Sequence, residues 1–554
     1  MSEKFPTHRG SISRRGLVKM GGMAAVGAAG ATMSATALAS ESASGDLSWA
    51  KEADVVILGT GASGLTAAIT AAQAGASVLV LEKAPEEEQG GNTRVSGNMW
   101  TCPTDLDEGL KYYKAASERS SDDEYLTALA TSALTLNDDF VSTLPDVDIQ
   151  KFPLFSPEFA ALPGGDAIQA WMNGSAGDAQ LWEALLAGAK QYDSIEFLYE
   201  TPGIRLITND AGEVIGVVVK MDGAEANVKA KKAVILATGG YEHNDEMIEN
   251  SYPGWPIFSR GTPYNTGDGI VMAQKVGAAL WHMNASDSGC GAMLCPGLTY
   301  NVGDYDPDTV PANLQIVMAS DSNQGFIAVD KHGKRFMPED RADGHGYGRR
   351  EYLFFYDGVE CEWPRLPFWT VFDDATAQAG PIASGASDIS KFTWFTCYSG
   401  YQWSSDNSAE VEKGWILKAD TLEELAEKMN GVEAGEGKMD PATLQETVES
   451  YNADAETGAG DSALGRAAET MRPLAGPFYA VLTYPTQYNT QGGPKRNSKA
   501  QTLDSFGDPI PRLYNVGECG AGYGWVYNGG WNICECMVTG RWAGADAAAL
   551  KSWE

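Results

Sequence analysis

The clearest hydrophobic pattern in the chain is Val55-Val56-Ile57-Leu58, an apolar run without a polar break that closes on Gly59-Thr60-Gly61-Ala62-Ser63-Gly64. An unbroken apolar run bounded by glycine predicts a strand buried on both faces. Small and apolar residues continue from Leu65 to Ala74, which predicts a closely packed helix. Ser77 to Leu81 is a second apolar run, ending at Glu82. Strand, glycine turn, helix, strand and terminal acid make up the opening βαβ unit of a dinucleotide-binding fold. In such a unit Gly59 makes the tight turn, Gly61 lets the backbone approach a pyrophosphate, and Gly64 lets helix and strand pack closely. The helix start at Ala62 and Ser63 turns its N–H groups toward phosphate. Glu82, with Lys83 beside it, stands where a carboxylate holds the ribose hydroxyls of an adenosine half.

Further along, the period changes. Residues 104–200 read mainly as helices, Asp122 to Leu144 and Gln180 to Gln191 among them. Glu196 to Glu200, Arg205 to Asn209 and Val214 to Lys220 alternate like an antiparallel meander, with Asp210-Ala211-Gly212 as a turn. Ala233 to Ala237 is apolar throughout, the signature of a buried parallel strand, and it runs into Thr238-Gly239-Gly240. Residues 284–487 are rich in aromatics, glycine and proline and irregular in pattern; they read as an inserted cap. Leu503 to Gly517 returns to strand, turn, strand, and Gly530 to Leu550 reads as a closing helix. The expected fold class is α/β, a Rossmann-like dinucleotide-binding domain with an inserted α+β cap that shapes a substrate pocket. The expected boundaries are a leader at 1–39, a linker at 40–53, the dinucleotide domain at 54–283 and 488–554, and the cap at 284–487.

The leader carries its own pattern. Ser13-Arg14-Arg15-Gly16-Leu17-Val18-Lys19 is a twin-arginine sequence, Met20 to Ala37 is rich in Gly and Ala, and Ala37-Leu38-Ala39 is a small-x-small cleavage site. So much Gly, Ala, Ser and Thr makes a weak membrane span. Cleavage is expected after Ala39, with export of the folded protein by the twin-arginine machinery to the periplasm or another extracytoplasmic part of the envelope.

Charge narrows the partners. The chain has 40 basic and 74 acidic residues, a formal net charge of −34. The leader holds Lys4, Arg9, Arg14, Arg15 and Lys19 against Glu3, so its removal makes the chain more acidic still. That balance argues against nucleic acid and anionic lipid as partners. Eight cysteines are present and no two are spaced Cys-x-x-Cys, so no common haem, iron–sulfur or zinc spacing appears; buried inert thiols and no metal are expected. Asp373-Asp374 and Glu423-Glu424 read as solvated charges.

Several motifs, in order, give the chain a resemblance to the flavoprotein family of fumarate reductase, urocanate reductase and 3-ketosteroid dehydrogenase, from about Asp54 to Ala549. Gly90-Gly91-Asn92-Thr93-Arg94-Val95-Ser96-Gly97 resembles the loop that lies along the flavin, which assigns Gly91, Asn92, Thr93, Ser96 and Gly97 to the cofactor. Ala237-Thr238-Gly239-Gly240 resembles the second phosphate-side turn. Thr266-Gly267-Asp268-Gly269 is a further family mark, as are Gly333-Lys334-Arg335-Phe336-x-x-Glu339, Thr490-Gln491-Gly492-Gly493 and Leu513-Tyr514-Asn515-Val516-Gly517-Glu518. The resemblance implies FAD and hydride exchange between flavin N5 and an activated C=C bond. It also implies that the helix start at Gly529 and Gly530, with Asn532 in its first turn, presents free N–H groups to the flavin pyrimidine edge. Membrane-bound succinate dehydrogenases of this family attach the flavin through a histidine in the flavin loop; Asn92 is there instead, so non-covalent FAD is expected.

The substrate end departs from the family. Dicarboxylate-reducing members hold the substrate with a histidine before Thr-x-Gly-Gly and an arginine two residues before the last Gly-Gly. Those positions are Asn489 and Tyr527 here, and neither can supply a charge-assisted carboxylate contact. Asn489, Gly492 and Tyr527 are the candidate substrate residues. The family's proton-donating arginine position holds Asp343, which leaves Arg341, Tyr347, His345 and Tyr527 as candidate catalytic residues. The reading is an exported reductase of a C=C bond conjugated to a carbonyl or carboxyl group. Its substrate is aromatic or bulky and not a dicarboxylate, and electrons arrive from a separate membrane-associated cytochrome or flavoprotein, an arrangement suited to anaerobic respiration. The alternatives are a dehydrogenase that desaturates a ketosteroid-like ring and a flavin electron carrier with no substrate of its own.

Overall fold

The computed structural model describes residues 47–554 apart from 119, 153–156, 175–178, 255, 260, 288–291, 294–313, 317–324, 341–351, 387–396, 399–402 and 525–526. The apolar run that opens the analysis ends strand β1 (Trp49–Leu58). Successive side chains of a strand point to opposite faces, and both faces of β1 are covered. Val55 and Ile57 pack with helix α1 (Ala62–Gln73) and the closing helix α2 (Trp531–Ala549), while Val56 and Leu58 join a second core on the other side. That is why the run carries no polar break.

The remaining strands of this sheet are β2 (Val78–Leu81), β3 (Ile195–Leu198), β4 (Gly203–Thr208), β5 (Val214–Met221), β6 (Ala224–Leu236), β7 (Gln501–Leu503) and β8 (Pro509–Asn515). Their order is β7-β8-β6-β1-β2-β3, with β5 also paired to β6 and β4 to β5. Strands β8, β6, β1, β2 and β3 are mutually parallel, in the registers Leu513↔Val234, Val55↔Ala233, Val55↔Val78 and Val78↔Ile195. Their carboxyl ends therefore share one edge, where an open α/β sheet binds its ligand.

The structure departs from the sequence reading in three places. The run at Glu196–Glu200 is not part of the meander: Ile195–Leu198 is a parallel edge strand on β2, and the antiparallel meander is β4-β5-β6. Alternation fixes which residues share a face and says nothing about which neighbour the strand takes. The helix expected from Asp122 to Leu144 breaks at Thr135 into Asp123–Leu134 and Leu136–Asp139, followed by a 3-10 turn at Val141–Thr143. Within the region read as helical, Ile149–Lys151 and Ile168–Asn173 are antiparallel strands that pair in a small sheet with Met99–Pro103.

Between β6 and β7 a second sheet is built on Phe326–Val329, Phe368–Asp373 and Phe478–Tyr484, all antiparallel. Helices Leu422–Asn430 and Pro441–Thr457 cover one of its faces, burying Leu425, Met429, Leu444 and Val448 against Val329, Val371 and Leu482. Both helices are capped by side chains, Thr421 and Asp440 accepting backbone N–H groups of the first turn. Asp373, read as a solvated charge, is 1% exposed: its carboxylate takes both Arg472 terminal nitrogens, at 2.6 and 2.8 Å, and caps Thr376. Glu339 is likewise sealed in, held by Arg335 at 2.6 Å and by Arg466 at 3.3 Å. No described helix is long and apolar enough to cross a membrane.

Candidate functional site

A cleft runs along the carboxyl edge of the parallel strands. Its floor is the turn from β1 into α1. A Cβ at Gly59 would lie 2.3 Å from the carbonyl oxygen of Ala237, and one at Gly64 would lie 2.1 Å from that of Gly59, so any side chain there would force strand and helix apart. Helix α1 starts at Gly61, which has no side chain to cap it, and its positive end is turned to the cleft; the N–H of Ala62, expected to face phosphate, is given instead to Thr93 Oγ1.

Glu82, at the end of β2, is fixed from two sides. Its Oε2 accepts from the backbone N–H of Thr60 at 3.0 Å and from the Thr60 hydroxyl, and its Oε1 accepts from Ala84 N at 2.9 Å. Lys83 lines the cleft, but its ammonium is spoken for: it donates to Asp268 Oδ2 and Thr266 Oγ1, each at 2.6 Å. Lys83 and Asp268, both assigned to the cofactor from sequence, thus form one ion pair on the cleft wall.

The flavin loop is a single helical turn, Gly91–Arg94, entered through Gly90. Thr93 Oγ1 accepts from Ala62 N at 2.9 Å, which ties the loop to the start of α1, and Ser96 donates to the Thr93 carbonyl at 2.8 Å. Asn92 donates to Glu242 at 2.8 Å and to Glu518 at 3.1 Å. Glu518 follows β8 and also accepts from Asn489 at 2.7 Å and Asn532 at 3.1 Å. Burial raises the Glu518 carboxyl above the usual range, and burial followed by the charge of Glu518 pushes Glu242 up to about 8.

All the cofactor residues read from sequence line this cleft except Gly64, which packs beneath it, and Gly529. The expectation of free N–H groups at the helix entry is corrected at both glycines. Gly529 N donates to the Glu158 carboxylate at 3.0 Å, and Gly530 N donates to the Tyr527 hydroxyl at 3.2 Å. The entry turn is thus stabilised by protein acceptors, and only the next residues of α2, Asn532 and Ile533, carry the helix start into the cleft. Tyr527 and Asn489 both line it. Gly492 does not; it packs behind, where a Cβ would meet Met283 Cα at 2.5 Å. Arg341, His345 and Tyr347 lie outside the described residues. Of the cysteines, Cys102, Cys519, Cys534 and Cys536 are buried, while Cys361 is exposed. Cys290 and Cys295 lie outside the described residues.

Sequence reading missed Glu242, Asn265, Thr262, Tyr264 and Glu88. Tyr264 and Glu88 are hydrogen-bonded to each other at the cleft wall, and Asn265 donates to Glu242 at 2.8 Å. The one available signal was position: Glu242 follows Gly239-Gly240 at the carboxyl end of a buried parallel strand, the edge where such sheets bind ligands.

The wall chemistry fits a flavin dinucleotide. The glycine floor admits a phosphate backbone, Glu82 presents a fixed carboxylate, and the buried Asn532 Oδ1 has no hydrogen-bond partner among the described residues, as an acceptor for a ligand N–H would. Comparison with known proteins points the same way. Digoxin reductase of Eggerthella lenta is 27% identical, with 92% of this chain and 89% of that protein covered. Urocanate reductase of the same species is 28% identical, covering 90% of this chain and 75% of that protein. Among solved structures, 3-ketosteroid delta1-dehydrogenase from Sterolibacterium denitrificans, in complex with 1,4-androstadiene-3,17-dione, shares the fold with a TM-score of 0.71 at 22% identity, covering 90% of this chain and 100% of that one. The family model described as "FAD binding domain" matches residues 54–532, from the end of β1 into the first turn of α2, so the chain belongs to the FAD binding domain family and FAD is the cofactor of its cleft.

Proposed function

We propose that the protein is an exported FAD-dependent reductase of a C=C bond conjugated to a carbonyl or carboxyl group, that its FAD is held without a covalent link, and that its substrate is not a dicarboxylate. The carrying observation is the charge of the cleft wall. Lys83 is the only cation among the described lining residues, and Asp268 neutralises it at 2.6 Å. Where dicarboxylate reductases place a cationic pair, the Asn489 amide donates to Glu518 and the Tyr527 hydroxyl accepts from Gly530 N. A desolvated carboxylate left without a counter-charge costs several kcal/mol, on the order of 3–5; Arg341, assigned below as the proton donor, is the one cation this reading brings to the substrate, so a neutral or singly charged substrate is favoured. Two relatives named as reductases, of digoxin and of urocanate, support the direction of the reaction.

Bound FAD supplies hydride exchange at its N5. The chain's own part is to hold and orient. Glu82 would hold the adenosine ribose, the α1 terminus would receive the diphosphate, and Asn532 at the start of α2 would hold the flavin edge. Tyr527 presents its ring to the substrate and shares its hydroxyl with the helix entry. The proton for the second carbon is assigned to Arg341, with Tyr347, His345 and Tyr527 as the other donors in reach of this reading. Electrons come from a separate envelope donor, and the twin arginines Arg14 and Arg15 direct export; this places the enzyme in an extracytoplasmic, anaerobic electron-transfer chain. Turnover tests the direction. With reduced viologen as donor the protein should saturate an enone or enoate, while an oxidised dye with the corresponding saturated compound should give much slower turnover. Faster turnover with the dye would make the protein a desaturating dehydrogenase, and no turnover either way across enones, enoates and steroids would favour an electron carrier.

A further inference from the structure

Behind the flavin loop lies a group of buried polar side chains that hydride transfer does not require. Asn92 organises it. Its Oδ1 accepts from Thr262 N at 2.9 Å, so the amide orientation is set and Nδ2 faces the other way. There it donates to two carboxyl groups, Glu242 Oε1 at 2.8 Å and Glu518 Oε2 at 3.1 Å. Glu242 is 3% exposed and Glu518 9%.

Each carboxyl faces three side-chain partners, but the partners differ in kind. Glu518 receives amide hydrogens on both oxygens, from Asn489 at 2.7 Å and Asn532 at 3.1 Å on Oε1 and from Asn92 on Oε2. That set suits a charged carboxylate. Glu242 receives amides only on Oε1, from Asn92 and from Asn265 at 2.8 Å. Among the described residues its Oε2 accepts only from the Thr490 hydroxyl, at 3.3 Å, the longest of these contacts, and that hydroxyl oxygen itself accepts from Tyr241 N at 2.8 Å. A hydroxyl hydrogen can rotate and its oxygen has two lone pairs, so with that hydrogen turned away Thr490 can take a second hydrogen bond from a protonated Glu242. Two carboxylates joined by one amide inside a dry wall do not both ionise at low cost.

We propose that Glu242 and Glu518 share one proton across Asn92, carried on Glu242 Oε2 toward Thr490, and that this pair is the proton store of the FAD cleft: it loses the proton in alkaline solution and recovers it when the bound FAD is reduced. The elevation of Glu242 to about 8 places the change just above neutrality. Other groups nearby do not compete among the described residues. His243, next in the chain, is driven down to about 4 by burial and is neutral. Lys83 is closed onto Asp268. Cys536 of α2 is pushed up by burial and stays a thiol. Glu88 is held by the Tyr264 hydroxyl. The balance is direct. Two electrons enter the FAD from the reductant; below pH 8 one proton accompanies them, to the flavin. Above it a second proton comes from solvent and goes to the Glu242 carboxylate.

The FAD-loaded protein tests this without an assay of turnover. For a two-electron couple a tenfold change in proton activity moves the midpoint by about 30 mV for each proton taken up. In an anaerobic spectroelectrochemical titration from pH 7 to 10, the unaltered protein should show a slope near 30 mV per pH unit at first, steepening toward about 60 mV above pH 8. Glu242→Gln should keep the shallow slope throughout with FAD still bound. Proton uptake on photoreduction, read with an indicator dye in weak buffer, decides the matter on the unaltered protein even if that variant loses FAD. About two protons per FAD at pH 9 and about one at pH 7 support the pair. One proton at both pH values overturns it, as does an alkaline second proton that survives in Glu242→Gln.

Discussion

Tyr527 shows how one side chain joins the fold to the pocket. Its hydroxyl accepts from Gly530 N at 3.2 Å, which stabilises the entry to α2, while its ring lines the cleft. Tyr527→Phe keeps the ring and removes that acceptor. Losing a hydrogen bond of this kind costs about 1–2 kcal/mol, so the melting temperature should drop; if the hydroxyl also meets the substrate carbonyl, kcat/KM should fall roughly 5- to 30-fold as well. Steady-state kinetics and thermal unfolding check this together. Unchanged kinetics with a lower melting temperature would make Tyr527 a helix-entry residue alone. At this scale the glycines, Glu82 and Asn92 were legible because each answers a demand made by its immediate neighbours: a turn, a close approach, a strand end. Glu242 was not legible. Its partners are Asn92, Asn265, Thr490 and Glu518, which come together only through the folded sheet.

Among the elements, the pairing of α1 with α2 positions both helix termini that face the cofactor. The two helices approach closely because α2 carries small residues where they cross: a Cβ at Gly540 would lie 2.6 Å from the Ser63 carbonyl oxygen, and one at Gly544 would lie 2.5 Å from that of Ala67. Gly540→Val should therefore push α2 off α1. Overpacking of a tight contact costs about 1–3 kcal/mol, and here it also displaces the helix starts from FAD. The expected result is a lower melting temperature and loss of the yellow cofactor during gel filtration, read as the ratio of flavin to protein absorbance. Full flavin retention would contradict the idea that this crossing sets the cleft. The strong elements were visible in the sequence because β1, β6 and α2 are long or unbroken in their apolar pattern. The strands at Ile149–Lys151 and Ile168–Asn173 were hidden in a region of helical composition, since short strands that pair with distant partners leave little period to read.

On the scale of the whole molecule, the sequence reading anticipated an α/β sheet interrupted by a long insertion, and Phe326–Val329, Phe368–Asp373 and Phe478–Tyr484 do form a sheet apart from β1–β8. Its internal order was beyond reach, because the pattern there is aromatic on both faces: Phe372 and Tyr479 pack on one side and Trp369 and Tyr484 on the other. Export belongs to this scale as well. Replacing Arg14 and Arg15 with Lys should hold the precursor inside the cell, and mature protein beginning near Ser40 should vanish from the envelope fraction; unchanged export of that variant would refute the twin-arginine assignment. The central claim is a reductase whose substrate is neutral or singly charged, and reoxidation of the dithionite-reduced protein under anaerobic conditions tests it most directly. Stopped-flow mixing with a panel of flat enones, monocarboxylic enoates and fumarate should restore flavin absorbance rapidly with at least one member of the first two classes, and at least about 10²-fold more slowly with fumarate, the difference expected when a buried carboxylate lacks its counter-charge. Rapid reoxidation by fumarate, with none by the enones or enoates, would contradict the account.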